Sequence, residues 1–127
     1  MKDLPIDFWH GIDLFNQQDF FNCHEVLEDV WRGQADPERI LTQGIIQIAV
    51  AFYHAGRANF VGAEKLLIRG LPRIETSLGL DVLVDVRKLL GDANIALESI
   101  QACQVPAAIL IRHKPENDSR AADKDRS

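Results

Sequence analysis

The sequence predicts an all-α fold, a helical bundle of two stacked antiparallel helical hairpins plus a C-terminal helix or helices. Three observations carry this. Apolar residues recur at helical spacing through most of the chain, and no stretch of useful length alternates as a half-buried strand would. Capping and breaking residues fall at helix-length intervals: Pro5, Asp19, Gly33, Asp36-Pro37, Asn59, Gly79 and Asp81. A weak repeat with an offset of about 40 residues aligns DFFNCHEVLEDVW from Asp19 with NFVGAEKLLIRGL from Asn59, pairing Phe20 with Phe60 and Leu27 with Leu67.

Taken in order, Pro5 suits a helix start, and Phe8, Trp9, Ile12, Leu14 and Phe15 form an apolar stripe to about Gln17. Asp19 is an N-cap for a helix from Phe20 to Arg32, which Gly33 ends. Asp36 and Pro37 are read as N-cap and first residue of a central helix reaching about Arg57. Asn59 caps a fourth helix to about Ser77, with a kink or early end expected at Pro72. Asp81 is read as the cap of a fifth helix, DVLVDVRKLLGDANIALESIQAC, that Gly91-Asp92 could divide. Val105 to Ile111 is expected to pack back as an extended segment. Residues 1–112 are read as one all-α domain, and the polar stretch 113–127 as a disordered tail.

At 127 residues, 46% hydrophobic and 26% charged, the chain has the makeup of an ordinary globular domain. A net charge of −5 without a long basic run argues against nucleic acid as a partner. No run approaches the roughly 18 apolar residues that span a bilayer, and the N-terminus lacks a secretory pattern, so no membrane association and a cytoplasmic location are expected. Cys23 and Cys103 form no metal or disulfide framework and are expected to be reduced thiols. Gly-rich phosphate loops, GxSxG elbows and Cys–His nucleophile patterns are absent from the sequence.

The central helix, ILTQGIIQIAVAFYH from Ile40, is apolar nearly all round, yet Gln43, Gln47 and His54 share one stripe. Such a stripe needs partners, because an unpaired buried polar group costs roughly 1–3 kcal/mol. The preceding helix offers them: His24 lies amid Phe20, Cys23, Leu27 and Trp31, with Glu28 four residues on at the edge of that face. Glu25 points further round and is the outlying member of the supporting set.

Three readings follow. His24 and Glu28, spaced for joint ligation, with His54 as third ligand, suit a divalent metal such as zinc, iron or manganese; Gln43, Gln47 and Trp31 would then support the site. HEVLE is not HExxH, so the metalloprotease motif fails. Alternatively the same residues are a buried hydrogen-bond network that fixes helix register, in a non-enzymatic scaffold for a protein partner. The third reading is a small-molecule pocket walled by Trp31, Phe20 or Tyr53, with His24 and Glu28 as acid and base. Arg69, Arg73, Arg87 and Lys88 are read as solvated helix faces. A homo-oligomer would cover the apolar helix faces that a small two-hairpin unit leaves over.

The runs LFNQQDFFNCHEVLEDVWRG and TQGIIQIAVAFYHAGRANFVGAEKLL resemble domain-of-unknown-function family 309, small bacterial and archaeal helical proteins, over about residues 8 to 78. The family's hallmark is His, three residues, Glu, two residues, then Trp or Tyr, matched here by His24, Glu28 and Trp31. The resemblance implies an all-α fold and metal binding through that motif, with no reaction attached. Ala58 stands where many relatives have a Gly before the capping Asn.

Overall fold

The computed structural model describes residues 4–115. Five α-helices occur among them: α1 (Ile6–Asn16), α2 (Phe20–Gly33), α3 (Glu38–Gly56), α4 (Phe60–Thr76) and α5 (Val86–Gln101), with a 3₁₀ turn at Ser77–Gly79. No strand is present among the described residues; an isolated antiparallel bridge joins Val84 and His113. The all-α class and the two-hairpin arrangement stand. None of the described helices is long and apolar enough to cross a membrane.

The forty-residue repeat is built into the two hairpin turns. At the end of α1, the Asp19 N–H donates to Leu14 O at 2.9 Å and the Gln18 N–H to Phe15 O at 2.9 Å. At the end of α3, the Asn59 N–H donates to His54 O at 2.8 Å and the Ala58 N–H to Ala55 O at 3.0 Å. This is the Schellman closure, which requires a left-handed residue; Gln18 (φ 65°) and Ala58 (φ 61°) supply it. The next residue then caps the following helix. Asp19 accepts from the Asn22 N–H at 3.4 Å, and Asn59 accepts from the Gly62 N–H at 3.0 Å.

α3 is the axis of the bundle, packed between α2 and α4, with α1 on α2 and α5 on α4. Its buried side chains include Leu41, Ile45, Ile48 and Phe52, and full burial of each large apolar side chain is worth roughly 1.5–3 kcal/mol. The α3–α4 approach is close at its two glycines. A Cβ on Gly44 would lie 2.8 Å from Ile74 Cδ1, and one on Gly70 would lie 3.2 Å from both Gln47 Cβ and Gly44 O.

Several expected boundaries move. Pro37, not Asp36, is the residue before α3, and no side chain caps that end. α4 runs through Pro72 to Thr76; Thr76 Oγ1 donates to Pro72 O at 3.1 Å. α5 begins at Val86 rather than near Asp81, because Asp85 is the residue whose carboxylate accepts the Lys88 N–H, at 3.0 Å. Gly91-Asp92 does not divide it. The 105–111 segment packs back without regular structure: Asn16 donates to Ile111 O at 3.0 Å and accepts the Ile111 N–H at 2.8 Å. Packing continues past the expected start of the tail, since His113 stacks on Trp9 with ring centroids 4.3 Å apart. The rest of that tail, from residue 116, lies outside the described residues.

Candidate functional site

One face of α3 is not fully covered. Gln43, Gln47, Val50, Tyr53 and His54 are half-buried, whereas the neighbouring faces are closed over. The polar stripe is therefore the floor of an open groove between α2 and α4 rather than an interior network. Three adjoining cavities follow it. A small apolar one of about 150 Å³ lies among Phe20, Phe21, His24, Val50, Tyr53 and His54. A central one of about 260 Å³ shares His24 and Val50 with it and adds Glu28, Trp31, Gln43 and Gln47. The widest, about 540 Å³, shares Trp31 and Gln43 with the centre and reaches Arg39, Arg69 and Arg73. From His54 to Ile40 the groove follows fourteen residues of helix, about 21 Å at 1.5 Å per residue.

The central cavity unites five of the residues singled out from the sequence: His24, Glu28, Trp31, Gln43 and Gln47. Antiparallel packing is the cause. The start of α2 meets the end of α3, where Phe21 and Tyr53 ring centroids lie 6.1 Å apart, and the end of α2 meets the start of α3, where the Arg39 guanidinium sits 4.0 Å over the Trp31 ring. His24 and Glu28, one turn apart on α2, both face the cavity.

His24 Nε2 lies 3.3 Å from Glu28 Oε2, with the two side chains 28% and 39% exposed. His24 Nδ1 faces Phe21 O at 3.4 Å. The other Glu28 oxygen accepts from Arg32 Nη2 at 3.3 Å, and Arg32 also pairs with Asp29 at 2.8 Å. The pair is thus a reachable imidazole–carboxylate couple at the rim, not a sealed one. On the floor, Gln47 Oε1 accepts from Arg73 Nη1 at 3.3 Å. Trp31 Nε1 is buried and has no hydrogen-bond partner.

Two of the expected residues do not line the central cavity. His54 shares the small apolar cavity with His24, but its Nδ1 is 3.5 Å from Asn59 Nδ2 at the helix turn. Glu25 is exposed and lines none of the three cavities. Among the described residues, no three His, Cys, Asp or Glu side chains are grouped to hold a metal ion. His24 and Glu28 fit a divalent ion as two donors on one side, so the remaining donors would have to come from outside this set. Cys23 is not one of them: it is fully buried, and burial, with Asp19 nearby, pushes its thiol up to about 12.

Sequence reasoning missed Arg39 and read Arg69 and Arg73 as solvated faces; Arg69 is exposed and Arg73 half-buried, and all three line the wide cavity. The signal was present: Leu66, Arg69 and Arg73 fall at i, i+3 and i+7 on α4, one stripe that meets α3.

These features define a class, an all-α hairpin pair with an open polar groove along its central helix. Residues 8–66 match the family model described as "Domain of unknown function (DUF309)", so the likeness to that family, expected over about residues 8 to 78, holds over that stretch. The chain is also similar to the "Uncharacterized protein YpuF" of Bacillus subtilis (strain 168), at 29% identity over 110 residues, which cover 83% of this chain and 62% of that protein. It therefore spans less than two thirds of the length of that relative.

Proposed function

We propose that the protein binds a small molecule in the groove along α3, with His24 and Glu28 as its reactive centre. The observation that carries this is the convergence of the two, with Trp31, Gln43 and Gln47, on one cavity of about 260 Å³ open to solvent. Such a cleft, mostly apolar with a few convergent polar groups, is what small ligands use. The 3.3 Å separation lets the imidazole and carboxylate exchange a proton and present either form to a ligand. His24 and Glu28 are also the residues that would hold a divalent zinc, iron or manganese ion, which would polarise a ligand oxygen. Gln43 and Gln47 orient the ligand, and Trp31 supplies an apolar wall.

The test is elemental analysis and calorimetric metal titration of the full chain and of His24→Ala. Near-stoichiometric metal in the parent and none in the variant supports a metal-assisted centre. Equal metal in both, or none in either after supplementation, removes the metal and leaves the acid–base pair.

A second reading, self-association, has one observation behind it. Phe21 and Val61, equivalent in the repeat, are 51% and 67% exposed on the first turns of α2 and α4. A second copy of the chain covering them would appear as doubled mass in light scattering, reversed by Phe21→Glu; a monomer at high concentration would remove this reading.

A further inference from the structure

The wide end of the groove has a charge pattern that neither the His24–Glu28 pair nor helix packing accounts for. Arg39, Arg69 and Arg73 line one cavity of about 540 Å³, with Asp36 as its single carboxylate. None of the three arginines is ion-paired among the described residues. Arg39 is held instead by neutral groups: its Nε donates to Trp31 O at 3.2 Å and its guanidinium stacks on the Trp31 ring. Arg73 is held by Gln47 Oε1 and, at 2.9 Å, by Arg69 O. Arg69 is exposed, and its side chain makes no hydrogen bond or ion pair among the described residues. On a chain of net charge −5, three like charges gathered round one hollow repel each other unless an anion joins them.

We propose that this end of the groove binds a phosphate monoester, its phosphate gripped by Arg39, Arg69 and Arg73 and its organic body directed past Trp31 and Gln43 toward His24 and Glu28. The charge selects the ligand. Three guanidiniums and one carboxylate leave a balance of +2, and a monoester carries a charge of about −1.5 to −2 near neutral pH. Geometry agrees: a phosphate offers three terminal oxygens to three planar donor forks, where a carboxylate offers two. Arginine is the residue suited to this task, since its fork matches phosphate and is less strongly hydrated than an ammonium. Two of the three forks are already oriented by neutral partners, which limits the ordering that binding must impose. The cavity is far larger than the phosphate alone, and it shares Trp31 and Gln43 with the central one, so the ligand has a body as well as a charge. As a ligand class for the same groove this rests on the binding reading above, but not on the metal.

The experiment is calorimetric titration of the full chain with phenyl phosphate and inorganic phosphate, beside succinate, a dianion with carboxylates only. The proposal expects saturable one-to-one binding of phenyl phosphate, weaker binding of succinate, and a loss of roughly tenfold or more in Arg69→Ala, the scale of one charged hydrogen bond. Because the Arg69 side chain is exposed and makes no hydrogen bond or ion pair among the described residues, that variant keeps the parent's helicity and melting temperature. Arg87→Ala, on α5 away from the groove, retains parental affinity. Inorganic phosphate reads the arginine end alone, so its saturable binding with no gain for phenyl phosphate would show the groove reading failing while the phosphate grip stands, which separates the two ideas. No saturable phosphate binding, succinate binding as tightly, Arg69→Ala binding like the parent, or an equal loss in Arg87→Ala would each overturn the proposal.

Discussion

Arg73 on α4 donates from Nη1 to Oε1 of Gln47 on α3 at 3.3 Å, and this bond ties the wide end of the groove to its floor. It depends on how closely the two helices approach, which Gly44 and Gly70 permit. Gly44→Ala is a sensitive probe of that approach. The new Cβ would meet Ile74 Cδ1 at 2.8 Å and Arg73 Cβ at 3.1 Å, and Ile74 is fully buried. Overpacking costs typically 1–3 kcal/mol, against a gain of about 1 kcal/mol from replacing glycine within a helix. The expected result in urea denaturation is a net loss of about 1 kcal/mol. A variant more stable than the parent would show that the α3–α4 contact yields freely.

His24 and Glu28 carry little of the fold's stability. With side chains 28% and 39% exposed, their pair belongs with surface ion pairs, worth about 0–1 kcal/mol. His24→Ala should therefore lower unfolding free energy by less than about 1 kcal/mol while altering ligand or metal binding. A loss of several kcal/mol would instead restore the idea of a buried network that sets helix register.

The helices were legible because their signals are local. Asp19 and Asn59 each cap the helix expected of them, and the stripes of α2 and α3 follow from spacing alone. The site was legible in composition but not in exposure: spacing placed Gln43, Gln47, His24 and Glu28 on facing stripes, yet only the separation of α2 from α4 shows that the stripe lies open. His54 shares the small apolar cavity with His24 and not the central one, a placement that sharing a face with Gln47, seven residues before it, does not fix. Arg69 is exposed as expected, but Arg73 is half-buried, because a long charged side chain at a helix edge looks solvated until the neighbouring helix is in position. Asp85 outcompeted Asp81 as a cap because Val82 and Val84 are buried from an extended segment, a tertiary preference that cap chemistry alone does not reveal.

The two thiols should differ sharply. Cys103 is exposed and Cys23 buried, both free. One equivalent of a thiol reagent should react quickly in the native protein, and the second only on unfolding; rapid reaction of both would mean that α2 opens readily. The Cys23 thiol also links stability to alkaline pH. Its folded value of about 12 lies above the ordinary thiol value of 9.0, so above pH 9 the unfolded chain gives up a proton that the folded chain retains. Stability from this group is full below about pH 9 and falls as pH rises toward 12. Cys23→Ala should flatten that alkaline decline while leaving the profile below pH 9 unchanged in shape.

The twin turns give the cleanest stability test. Gln18 and Ala58 hold left-handed backbone at φ 65° and 61°, where a Cβ costs roughly 1–2 kcal/mol. Both side chains are exposed, so changing them alters no packing. Glycine removes the steric cost but adds about 0.4–1 kcal/mol of unfolded-state freedom. Ala58→Gly and Gln18→Gly should therefore each raise stability by about 0.5–1 kcal/mol, and their gains should add, because the turns share no partner. Chemical denaturation of both single variants and the double variant checks this. Equal gains would show that the forty-residue repeat is energetic as well as geometric. A loss at Ala58 alone would mean that its methyl group holds the α3–α4 turn in a way its exposure does not reveal.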